Sequence, residues 1–61
     1  MTKDTTPVVG DVWRLGDVVR TVVSSKQVTK REPIAYRGPY GLTTTTKKEW
    51  HAWAANAERV G

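Results

Sequence analysis

The run Val18-Val19-Arg20-Thr21-Val22-Val23 is β-branched at every position except Arg20. Such side chains lose rotamer freedom in a helix but pack well on a pleated surface, so this segment reads as a strand and commits the chain to a sheet. On its N-terminal side Leu15-Gly16-Asp17 interrupts the apolar pattern, and Gly16 supplies the positive φ of a tight hairpin turn. Residues 8–15, with Val9, Val12, Trp13 and Leu15, then form the preceding strand, in which Gly10 marks a bend or bulge.

Beyond the β-branched run, residues 24–32 are polar and basic apart from Val28, and fit either an exposed loop or the projecting arms of a long hairpin. Ile34-Ala35-Tyr36-Arg37 follows Pro33 as a third strand, with Ile34 and Tyr36 on one face by the two-residue period. Gly38-Pro39-Tyr40-Gly41 is a turn, and Leu42-Thr43-Thr44-Thr45 is β-branched enough for a fourth strand. Thr46-Lys47-Lys48-Glu49 matches a capping box, in which the Thr46 hydroxyl accepts from the Glu49 amide and the Glu49 carboxylate accepts from the Thr46 amide. Trp50, Trp53, Ala54, Ala57 and Val60 then recur at helical spacing up to Gly61.

The expected fold is therefore α+β: a small antiparallel sheet of three to four strands, as an SH3-like barrel or a β-meander, with one C-terminal amphipathic helix packed on it. Residues 1–7 are polar up to Pro7 and read as a flexible tail, leaving 8–61 as one domain. Trp13, Trp50 and Trp53 are the large groups available to fill the space between helix and sheet, and are expected in the core.

The strings Gly10-Asp11-Val12-Trp13-Arg14, Val19-Arg20-Thr21-Val22 and Ile34-Ala35-Tyr36-Arg37 resemble the strands of small SH3-like accessory proteins of actinobacterial phages and prophages. The resemblance spans residues 8–60 and implies an SH3-like sheet with a closing helix. It also implies a phage protein working in the host cytoplasm, and it carries no catalytic signature.

What the chain lacks narrows its chemistry. It has no cysteine, hence no disulfide framework, thiolate zinc site or redox pair, and this suits a reducing, cytoplasmic setting. No apolar run approaches the roughly twenty residues that cross a bilayer, and the start lacks the apolar stretch of a secretory signal. His51 is the only histidine and reads as a surface residue, so neither a metal nor a cofactor is expected. Ser24, Ser25, His51 and six scattered acids show no recognised catalytic spacing, and a core this small leaves scant room for a substrate pocket. The chain reads as a non-enzymatic binding module.

Charge suggests what it binds. Residues 1–25 are neutral, residues 49–61 carry a net −1, and residues 26–48 carry six cations against Glu32 alone, a net +5 within an overall +4. Clustered cations release condensed counterions on meeting a polyanion, although lysines also guard sheet edges and keep loops solvated. Lys47 and Lys48 sit at a helix start, where the dipole disfavours cations, which raises their weight as partner contacts. Tyr36 reads as core, whereas Tyr40, in a turn, is placed to stack on a base or partner. The candidate contact residues are Lys26, Lys30, Arg31, Arg37, Tyr40, Lys47 and Lys48. The leading partner is nucleic acid or its machinery. The alternatives are a host or defence protein inhibited by the phage product, whose surface would be acidic, and a second copy of the chain in a self-assembling homo-oligomer.

Overall fold

The computed structural model describes residues 4–26 and 29–61. Its elements are β1 (Val12–Leu15), β2 (Val18–Ser24), β3 (Ile34–Gly38), β4 (Gly41–Thr45), α1 (Lys47–Ala54) and β5 (Glu58–Arg59). All five strands join one antiparallel sheet in the order β4-β3-β2-β1-β5. β1 to β4 run as a meander, and α1 carries the chain from one edge of the sheet to the other.

Two expectations are corrected. The sheet has five strands rather than three to four, and the helix is not C-terminal, because β5 follows it. The helical spacing of Trp50, Trp53, Ala54 and Ala57 continues past the point where the helix stops at Ala54. There the Asn56 amide donates to the Trp53 carbonyl and the Ala57 amide to that of Ala54, tightening the last turn. The free edge of β1 then outcompetes another helical turn. Val60 donates to the Val12 carbonyl at 2.8 Å, Val12 donates to the Gly61 carbonyl at 3.1 Å, and Trp13 and Arg14 pair with Arg59 and Glu58. Ala57 is buried, so its apolar character suits a tight turn under the sheet as well as a helix face.

The first strand is also shorter than expected. Residues 8–11 form a turn closed by the Asp11 amide donating to the Val8 carbonyl; the regular ladder with β2 begins at Val12, while the Gly10 amide donates to the Val22 carbonyl and the Val22 amide to that of Asp11, both at 2.9 Å, an irregular pairing at the bend expected at Gly10. The β1–β2 connection is a two-residue loop between Leu15 and Val18, with Gly16 at φ +61°, as a type II′ turn requires. β2 and β3 are joined by residues 25–33, of which the described ones form no strand, so the loop reading holds for them; Gln27 and Val28 lie outside the described residues.

One face of the sheet presents Trp13, Val22, Ile34 and Tyr36 to Trp50, Ala54 and Ala57. Trp50 is fully buried at the centre, 6.0 Å from the Trp13 ring in a T-shaped pair, 6.0 Å from Tyr36 and 5.5 Å from Trp53. The opposite face carries Arg14, Val19, Thr21, Arg37 and Leu42, with Val19 and Leu42 exposed.

The helix start is half of the expected capping box. Thr46 is extended and its hydroxyl accepts from the Glu49 amide at 3.1 Å. The Glu49 carboxylate instead accepts from the Thr45 hydroxyl at 3.2 Å. Thr46→Ala is expected to cost about 1 kcal/mol, read as a lowered midpoint in thermal unfolding.

Candidate functional site

Three of the predicted cations meet in one place. Lys30, Arg31 and Lys47, with Ser25 and Pro33, line an open cleft of about 420 Å³. The cleft is open to solvent and is not a pocket within the core. It lies between the β2–β3 loop and the helix start.

Local chemistry shapes both walls. The Thr29 hydroxyl accepts from the Glu32 amide at 2.7 Å and donates to the Glu32 carbonyl at 3.2 Å, closing a compact turn around Lys30 and Arg31. The Thr44 hydroxyl donates to the Glu32 carboxylate and ties that turn to β4. The pairing of Ile34 with Thr45 then delivers Thr46 and Lys47 beside Pro33. Glu32, the only acid in the basic segment, is thus occupied by Thr44, and no carboxylate is among the described residues lining the cleft. The amide dipoles of α1 add positive potential at the same end.

The other predicted residues go elsewhere. Lys26 and Lys48 are exposed but do not line the cleft. Arg37 points to the opposite face of the sheet, across from Thr21 and Leu42. Tyr40 is almost fully exposed, at 98%, in the β3–β4 turn. That turn lies at the far end of β3 from the cleft, about 14 Å along the strand. Tyr36, Trp13 and Trp50 are buried and Trp53 is half-buried against them, as expected of core residues.

A second cleft, of about 290 Å³, shares Ser25 and Lys47 with the first and extends to Thr6, Pro7 and His51. His51 is exposed, with Nδ1 at 2.6 Å from the Thr5 hydroxyl. The Trp50 indole N–H donates to the Thr5 carbonyl at 2.9 Å, and the Asp4 carboxylate accepts from the Thr6 amide at 3.0 Å, a bond that holds its pKa below the usual value. The described part of the N-terminal segment therefore docks on α1, while residues 1–3 lie outside the described residues. Deleting residues 1–6 leaves the indole N–H without this acceptor and is expected to cost about 1–3 kcal/mol in urea unfolding.

The residue that sequence reasoning missed is Arg20. Its guanidinium carbon lies 4.4 Å from the Tyr36 ring centroid and 4.2 Å from that of Trp53. The signal was present in the period of β2: Val18, Arg20 and Val22 share the face that meets the core, so a cation there needs a role. With Val18, Tyr36, Pro39, Tyr40 and Thr43 it lines a groove of about 190 Å³ at the hairpin end.

Among the described residues no group of three or more His, Cys, Asp and Glu is placed to hold a metal ion, and no helix is long and apolar enough to cross a membrane. Comparison with protein-family models, with curated proteins and with solved structures finds no match. The functional reading therefore rests on the clefts and their charges.

Proposed function

We propose that the chain is a non-catalytic binding module of the small SH3-like phage type, acting in the cytoplasm on nucleic acid or on the machinery that handles it. The observation that carries this reading is the convergence of Lys30, Arg31 and Lys47, from two separate segments, on one open cleft without a lining carboxylate among the described residues. Cations so placed hold successive phosphates and release their counterions, and the Ser25 hydroxyl beside them is a donor for a phosphate oxygen. An open cleft suits a backbone that passes through it better than a small molecule that must be enclosed. Lys26 and Lys48, exposed nearby in sequence, add to the attracting field without lining the cleft.

The test is a fluorescence titration against short single-stranded and duplex DNA and RNA at two salt concentrations. Wild-type binding should weaken steeply with salt. Lys30→Ala with Arg31→Ala should lower the slope of log affinity against log salt by about 1.5–2 units, and Lys47→Ala by about half that. Arg14→Ala, on the opposite face of the sheet, removes one charge far from the cleft and should leave the slope unchanged. Absence of binding to all four nucleic acids at low salt eliminates the proposal. A phage inhibitor of a host protein would then be the reading to test, because an acidic protein surface can enter the same cleft.

A further inference from the structure

We infer that the groove at the β3–β4 turn is a second binding site, which takes an acidic, partly apolar peptide segment of a partner protein, with its carboxylate on Arg20 and an apolar side chain against Tyr40 and Pro39. The groove is built around a cation that the fold holds ready. Arg20 stands on the core-facing side of β2 at the margin of the helix, and its guanidinium carbon lies over both the Tyr36 ring and the Trp53 ring of α1. Cation–π contact with two rings restrains the guanidinium in the groove wall, so it has less freedom to lose when a ligand binds. The ion pairs among the described residues are Arg14 with Glu58 and Arg59 with Asp11, and neither engages Arg20. A guanidinium in a groove wall, with no carboxylate at ion-pair distance or among the described lining residues, leaves its charge complementary to a carboxylate from outside.

Tyr40 supplies the apolar wall. It is a large aromatic residue with 98% of its surface exposed, so folding does not need it. The turn that presents it has a defined backbone. Pro39 restricts the turn before it, and Gly41 after it takes φ +103°, a backbone conformation that residues with side chains rarely adopt. A tyrosine and an arginine lining one groove are the residue types enriched in interface hot spots.

The dimensions choose among ligands. About 190 Å³ holds one or two side chains, below the few hundred cubic ångströms of an enclosing small-molecule site. Nucleic acid fits less well, because Arg20 is the only cation lining the groove among the described residues and a phosphate chain needs several. The groove and the basic cleft lie at opposite ends of β3, so a peptide held at one leaves the other open, and the domain can bridge two partners.

The test uses the full chain and a library of random twelve-residue peptides, selected in moderate salt and then synthesised. Selected peptides should contain Asp or Glu next to an apolar residue, and changing that acid to its amide should weaken binding about tenfold or more. Tyr40→Ala, which cannot disturb the core, and Arg20→Gln should weaken it to a similar extent, and bound peptide should shift the amide signals of Tyr40 and Thr43 and the Trp53 indole signal in NMR spectra. Selection of peptides without an acid, no selection at all, or binding insensitive to Tyr40→Ala overturns the inference. Shifts confined to Lys30, Arg31 and Lys47 would assign the peptide to the basic cleft and overturn it too. An oligothymidylate that shifts Tyr40 and Thr43 in place of any peptide would make the groove a base-stacking platform instead.

Discussion

Trp50→Ala should leave the chain largely unfolded at room temperature. The indole is fully buried and touches three other aromatic rings, so nothing nearby can collapse into the space it leaves. Removing a buried Trp costs about 3–5 kcal/mol, and each lost aromatic pair adds about 0.5–1.5 kcal/mol. A domain of this length is stable by roughly 3–9 kcal/mol at the usual value per residue, so the loss consumes most or all of it. The check is urea unfolding followed by near-ultraviolet circular dichroism, with Trp50→Phe as the companion variant. Phe keeps much of the ring packing but cannot donate to the Thr5 carbonyl, and should retain a cooperative transition at lower urea. A wild-type midpoint for Trp50→Ala would mean that the helix does not pack where it is placed.

Truncation after Asn56 is the second large effect, and it separates this fold from one that ends in a helix. If residues 57–61 were a frayed last turn, their loss would cost a few tenths of a kcal/mol. As β5 they do far more. Ala57 is buried, Val60 and Gly61 bond to Val12 on both its amide and its carbonyl, and Arg59 and Glu58 pair with Trp13 and Arg14. Arg59 also stands 3.7 Å from the Asp11 carboxylate, which is mostly buried and would lose its counter-charge. The truncated chain should therefore lose about 3 kcal/mol or more, as several strand bonds and a core side chain go together. Val60→Pro tests the same point within the full-length chain, since it removes the amide that donates to Val12 and restricts the backbone of Arg59 before it, and it should reproduce part of the loss. Full stability of the truncated chain would show that β5 carries no weight.

How much could be read in advance differed from element to element for physical reasons. The β-branched run of β2, the Gly16 turn, Ile34 and Tyr36 on one face and the Thr46 cap are short-range features, each decided by the conformational preferences of a few adjacent residues. The burial of Trp13 and Trp50 followed from there being few large apolar groups to fill a small core. β5 had no such signal, because two residues show no alternation and Glu58-Arg59 has no strand preference. It exists because β1 has an unpaired edge within reach.

The candidate site divides along the same line. Composition located the excess positive charge in residues 26–48, and local pattern exposed Tyr40 at a turn. That Lys30 and Arg31 meet Lys47, while Arg37 turns to the other face and Tyr40 stands at the opposite end of β3, depends on strand register, which joins residues distant in the chain. The sequence by itself determined the meander of β1 to β4, the position of the helix start, the aromatic core and the charge. Tertiary structure alone decided where the helix stops, which cations converge and that Arg20 meets two aromatic rings, because each results from non-local pairing of backbone edges and faces, and no local preference encodes such pairing.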